Sequence, residues 1–246
     1  MSDATLDPTL ATLEQRVAEA PDDAEAWREL ADELVASGEE PRAIAALKRF
    51  LELVPGDSDA LSDLAHLEHR AGHSAEALDL LGKAVDTAQF PTSLLRNLID
   101  LHVEKGQTES ALTRAEQLSA ADAGDVVALL DIAELALGMN DWNKASRTFE
   151  RMRRVDDADG HIVYALHGVI EAEVGAQRWR AALNAAIDAA AADRHEFTTD
   201  LLLYVSAQLF GVTEEARTPK PWPELAQQLE RERAEHRRYH IEQSIL

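Results

Sequence analysis

One interval organises this chain: 34 residues. Gly38, Gly72 and Gly106 stand that far apart, and so do Ala43, Ala77, Ala111 and Ala145. Leu30, Leu64, Leu98 and Ile132 keep the spacing, beside Ala31, Ala65, Ile99 and Ala133. Trp27, Leu61, Leu95 and Leu129 form a fifth column, and Leu47, Leu81, Ala115 and Phe149 a sixth. A repeat of this length is one supersecondary unit, too small to bury its own apolar faces, so it must stack on its neighbours.

Each column has a physical task. Trp27, Leu30, Ala31 and Leu34 recur at i, i+3, i+4 and i+7, which draws one apolar stripe along a helix. Gly38 ends that helix, because glycine enters the left-handed C-terminal conformation without steric penalty. A second helix carries Ala43, Leu47 and Phe50 on one face, and Pro55 closes the copy. The small residues Ala31 and Ala43 let the paired helices approach closely. Ala-rich stretches such as 181–192, with only 5% aromatic residues overall, agree with an all-α chain.

These residues resemble the tetratricopeptide repeat family. Trp27, Leu30, Ala31, Gly38, Ala43, Leu47 and Pro55 carry the pattern in the first copy. Leu61, Leu64, Ala65, Gly72, Ala77, Leu81 and Ala84 carry it in the second, and Leu95, Leu98, Ile99, Gly106, Ala111 and Leu118 in the third. Asn140 replaces the turn glycine in the fourth copy, before Trp142 and Ala145. The fifth is displaced three residues by Ala158, Asp159 and Gly160, then resumes with Leu166, Val169, Ile170, Trp179 and Ala182. The resemblance implies a right-handed α-α superhelix. Its expected parts are a capping half-hairpin at 1–23, then repeats at 24–57, 58–91, 92–125, 126–159 and 163–196. A capping helix at 197–211, with Leu202, Leu203, Ala207 and Phe210 as its stripe, precedes a proline-containing linker at 212–223 and a C-terminal helix and tail at 224–246.

In this family the first helix of each hairpin lines a concave face, and the resemblance implies that ligands lie there. The positions expected on that face are Arg28, Asp32, Ser62, His66, His69, Arg96, Asn97, Asp100, Leu130, Glu134, Tyr164, His167 and Glu171. Arg28, Arg96 and the histidines suggest donors for an acidic stretch of ligand, and Leu130 and Tyr164 an apolar one. Some family members grip a terminal carboxylate with paired Lys and Asn. Here Arg28 and Asp32 take those slots and the second copy supplies Asp63, so the acids oppose that use.

Charge narrows the partners. With 24 basic and 46 acidic residues the formal charge is −22, which repels phosphate backbones and anionic lipid and disfavours nucleic acid and membrane surfaces. There is no cysteine, so disulfides and thiolate chemistry are excluded. No apolar run is long enough to span a bilayer and no secretory signal is legible, so a cytoplasmic protein is expected. His66, His69 and His73 fall at i, i+3 and i+7, a spacing that can present imidazoles to Zn²⁺, but His73 lies beyond the turn Gly72 and no carboxylate completes the set. His236 and His240 stand at i and i+4 with Arg237 and Arg238 between them, which opposes a metal. No catalytic constellation and no cofactor motif is present. From residue 217 onward six basic residues face five acidic ones, so the tail is nearly neutral beside an acidic body, and docking on the solenoid is its expected role.

The expectation is therefore a non-catalytic scaffold or adaptor, an assembly factor or a co-chaperone-like protein, holding a protein or peptide on the concave face. The alternative is a structural subunit acting through the convex face and C-terminal helix. A metal-dependent role for His66 and His69 ranks third.

Overall fold

The computed structural model describes residues 8–155, 161–211 and 219–245. Among them are thirteen helices and no strand: α1 (Pro8–Glu19), α2 (Ala24–Ala36), α3 (Glu40–Leu53), α4 (Ser58–Arg70), α5 (Ser74–Thr87), α6 (Thr92–Glu104), α7 (Thr108–Ala121), α8 (Val126–Gly138), α9 (Trp142–Met152), α10 (His161–Gly175), α11 (Trp179–Ala192), α12 (Glu196–Phe210) and α13 (Trp222–Ile245). The three-residue insertion at Ala158, Asp159 and Gly160, most of the expected linker, and the side chains of His236 and His240 lie outside the described residues.

The chain divides into two compact units, Met1–Gln107 and Thr108–Leu246. In the first, α2 pairs with α3 and α4 with α5, while α1 caps α2 and α6 packs on α5. In the second, α7 packs on α8, hairpins α8–α9 and α10–α11 follow, and α12 packs on α11. The division falls in the turn of the hairpin expected at 92–125, so α6 and α7 belong to different units.

Local chemistry explains the element ends. Asp23, Asp57 and Asp125 cap α2, α4 and α8, each carboxylate accepting from the backbone N–H three residues on at 2.8–3.1 Å. These caps form a further 34-residue column, broken only at Pro91, where α6 has no side-chain cap. Gly38, Gly72 and Gly106 have φ of 76°, 88° and 67°, and the hairpin-turn slot keeps that conformation where glycine is lost: Asn140 at 58° and Gln177 at 57°.

The stacked columns become the cores. In the first unit Ala31, Leu34, Ala43, Leu47, Leu64, Ala65, Ala77 and Leu95 are buried. In the second, Phe149 is wholly buried and lies so close to Gly168 that a Cβ there would overlap its ring. Trp142 abuts Gly175 in the same way, with 2.8 Å to an added Cβ. The stripe expected on the capping helix is corrected. Phe197, Leu201 and Val205 are the buried side of α12, whereas Leu202 and Leu203 are half-buried and Phe210 is 64% exposed. The buried set has the i, i+4, i+8 spacing of one helix face, on the helix that packs against α11.

The C-terminal helix also differs from its expected start. It begins at Trp222 rather than 224, with Pro223 in its first turn, where a missing N–H breaks no helical hydrogen bond. It then packs across α8, α10 and α12.

Candidate binding faces of the two units

The first helices of unit 1 hold an open groove. Asp32 and Val35 on α2, Ser62, His66 and His69 on α4, and Asn97, Asp100, Leu101 and Glu104 on α6 border a cavity of about 600 Å³. Its apolar floor includes Ala65, Leu67 and Leu81. Asp32, His66, Asn97 and Asp100 are exposed, while Ser62, His69 and Arg96 are half-buried. Of the positions expected from repeats 24–57, 58–91 and 92–125, Asp32, Ser62, His66, His69, Asn97 and Asp100 border this cavity, and Arg28 and Arg96 do not.

The charge of this face corrects the sequence expectation. Arg28 is held by Asp63 at 2.5 Å and Asp32 at 3.1 Å, so its guanidinium is already committed within the chain. His69 Nε2 lies 3.2 Å from Glu104, and Arg70 pairs with Glu40. Four carboxylates (Asp32, Asp63, Asp100 and Glu104) border the cavity against one guanidinium, Arg70. Arg28, one of the donors expected to meet an acidic ligand, is thus paired with two of these carboxylates.

The histidines do not converge. His73 Nδ1 hydrogen-bonds Glu68 at 2.6 Å, while His69 turns to Glu104 and His66 faces the groove. Glu68, His73 and Glu76 do place ligand atoms within 4.8 Å of one another. However, the ammonium of Lys48 sits there, 2.7 Å from Glu68 and 3.1 Å from Glu76, and supplies the positive charge a metal would. Burial raises the Glu68 carboxyl, but hydrogen bonds from Lys48 and His73 outweigh it and hold the group below its usual range.

In unit 2 the corresponding face is covered. Leu130, Tyr164 and His167 are buried and Glu134 and Glu171 are half-buried, and α13 packs across α8 and α10, where it meets His167, Glu134 and Glu171. Leu225 and Leu229 are 0% and 2% exposed, and full burial of a leucine is worth about 1.5–3 kcal/mol. One turn further, Arg233 pairs with Glu171 and lies 3.8 Å from Glu134. His167 bridges α13 and α12, Nδ1 with Glu232 at 3.0 Å and Nε2 with Thr198 at 3.1 Å. Lys220 reaches the buried Asp200 at 2.7 Å, and Trp222 stacks at 5.3 Å on Tyr204. Burial pushes Glu171 above the usual carboxylate range, and Arg233 offsets only part of that cost.

Docking of the tail on the solenoid was expected, with Trp222, Leu225 and Leu229 as its sparse apolar residues. The pairing of Arg233 with Glu171 and Glu134 was not read from the sequence, although an i, i+4, i+8 spacing puts it on one side of the helix with the two leucines.

Among the described residues no helix is long and apolar enough to cross a membrane. What remains is a class: an all-α helical repeat, with no strand among the described residues. Family models for the tetratricopeptide repeat match residues 24–67 and 102–170, and the chain resembles that family. Solved structures of similar fold include YrrB, a TPR protein with an unusual peptide-binding site, at 18% identity and a TM-score of 0.55, covering 80% of this chain and 98% of that one. The Naa15/Naa10 assembly bound to HypK-THB aligns at 14% identity and a TM-score of 0.67, over 81% of this chain and 31% of that one. A tetratricopeptide repeat protein from Parabacteroides merdae aligns at 18% identity and a TM-score of 0.53, over 76% and 73% of the two chains. At these identities the likeness is one of fold. No curated protein matches the sequence.

Proposed function

We propose that this protein is a non-catalytic scaffold, an adaptor or assembly factor of the cytoplasm, that holds a segment of another protein on the concave face of unit 1. The observation that carries the reading is the contrast in cover. The open groove of about 600 Å³ across α2, α4 and α6 exposes Asp32, His66, Asn97 and Asp100, while the matching face of unit 2 is already filled by a helix. Extended concave surfaces are how helical solenoids engage partners. The first-helix residues of unit 2, Leu130, Glu134, Tyr164, His167 and Glu171, hold α13 in this reading. The net charge of −22 steers the protein away from nucleic acid and toward cationic protein surfaces.

The test is site-specific photo-crosslinking in cells. A photoreactive residue at position 66, in the groove, is expected to yield a discrete crosslinked protein. The same residue at position 79, exposed on α5, is not. Crosslinks from 79 alone would move the binding surface to the second helices and sink this assignment.

A further inference from the structure

Helix α13 lies on the first helices of unit 2 as a ligand would, and the seam it makes is polar for a permanent one. Among its described residues only Leu225 and Leu229 are fully buried. Charged pairs supply much of the rest. Lys220, just before the helix, meets Asp200 of α12, Glu232 meets His167 of α10, and Arg233 meets Glu171 of α10 and Glu134 of α8. Permanent interfaces are the more apolar kind, and a buried ion pair returns little net stability, so a seam fixed for good gains from apolar replacement. Ionisable groups at these positions are instead compatible with water once the helix leaves. With α13 in place, burial holds the Glu171 carboxyl above its usual range, a cost that ends when water reaches it.

Packing is also incomplete on one side of the helix. A cavity of about 480 Å³ lies beside Arg233 and Ala234 of α13, walled by Leu137 and Gly138 of α8 and Trp142 of α9. Ala234 borders it and brings only a methyl group. We infer that this inner face of unit 2 is a second binding site, which α13 occupies in cis. Its preferred occupant is a helix of a partner protein with the anchors of Leu225, Leu229 and Arg233 and a large apolar residue where α13 has Ala234. Such a residue enters the cavity between Leu137 and Trp142. That supplies what a competitor needs, because a helix of the same chain has the advantage of a high effective concentration. Helix-in-groove recognition through i, i+4 anchors is a general mode. The site is separate from the groove of unit 1 and stands or falls without it.

The experiment uses the full chain and three fluorescein-labelled peptides of the 219–238 sequence. One is unchanged, one carries Ala234→Leu, and one carries Gln227→Leu at an exposed position away from the cavity. Fluorescence anisotropy is expected to show the Ala234→Leu peptide binding the protein roughly tenfold or more tightly than the other two. Hydrogen exchange of that complex should show protection lost from α13 and kept in α8 and α10. The protein variant Leu225→Ala with Leu229→Ala, which loosens α13, is expected to bind the unchanged peptide roughly tenfold or more tightly than the parent protein does. Ala234→Leu in the protein fills the cavity from cis, so it should raise protection of α13 and weaken every peptide by a similar factor. Circular dichroism checks the fold, and the Ala234→Leu variant keeps the test open should the double variant fail to fold. Equal binding of the Ala234→Leu and Gln227→Leu peptides overturns the inference, and so does an α13 that stays protected in the complex. So does a loosened variant that gains no affinity. A concentration-dependent dimer in sedimentation that the Ala234→Leu peptide dissolves would make the occupant α13 of a second copy, and would overturn the assignment to a separate protein.

Discussion

The two units carry the same repeat and use its inner face in opposite ways. Unit 1 leaves Asp32, His66 and Asp100 exposed over an apolar floor, whereas unit 2 spends the matching residues Glu134 and Glu171 on a helix of its own. The columns that build a solenoid therefore do not say whether its face is free. That is decided by a segment outside the repeat, and here by three side chains on α13.

The contrast can be broken most sharply at those side chains. Leu225→Ala with Leu229→Ala is expected to cost unit 2 roughly 2–5 kcal/mol per site, less any coupling between the neighbours. Hydrogen exchange should show protection falling in α8, α10 and α12 and unchanged in α4. A uniform loss over both units would mean that α13 does not act on unit 2 alone.

Two glycines give the next largest effect, with opposite signs. Gly168→Ala drives a methyl into Phe149 and is expected to cost about 1–3 kcal/mol. Gly82→Ala, inside α5 with nothing within 4 Å of an added Cβ, is expected to gain about 0.4–1 kcal/mol. Thermal melts of the two single variants check this, and a stabilised Gly168→Ala would show that the α9–α10 contact is looser than described.

Smaller again is the turn slot. Gln177→Gly is expected to raise stability by up to about 1 kcal/mol, because Gln177 holds φ at 57° where glycine is unstrained. Gly72→Ala in unit 1 should lose a comparable amount, and chemical denaturation of both variants tests the pair.

Acid separates the units last and most gently. Glu68 on α4 faces Lys48 of α3, His73 just before α5 and Glu76 of α5, and its carboxyl is held low. Its contribution is full above the unfolded carboxylate range and is lost as pH falls through the lower folded value. Glu171 on α10 faces Arg233 and Glu230 of α13 and Glu134 of α8, and its carboxyl is raised. In the folded state it takes up its proton first, so the cost of its buried charge is relieved as pH falls from the raised value through the ordinary range. Exchange rates measured on acidification should rise around α4–α5 before they rise around α10. The reverse order would contradict the opposite shifts.

Much of this was legible before any coordinates. The glycine, alanine and leucine columns announced the hairpins because each is tied to one local task, a turn or a close approach, that does not depend on the rest of the molecule. Asn140 was legible as a turn for the same reason, while Gln177 was not, since glutamine has no turn preference to read. The site was half legible. Spacing placed Asp32, Ser62, His66, His69, Asn97 and Asp100 on one face, but not their electrostatics, because Arg28 is neutralised by Asp63 from the next hairpin. The cover on His167 and Glu171 was hidden for a related reason. It depends on α13, which follows a proline-rich stretch and belongs to no column.

The position of α13 in the chain has a consequence for synthesis. Helices α8, α10 and α12 leave the ribosome before the helix that packs across them, so the surface that meets Leu225 and Leu229 lacks its cover for the time taken to make the intervening residues. A message cut short anywhere before residue 222 would make that interval permanent. Its product would display an apolar patch of the kind that draws chaperones or aggregates, while unit 1, complete much earlier, would still carry its groove.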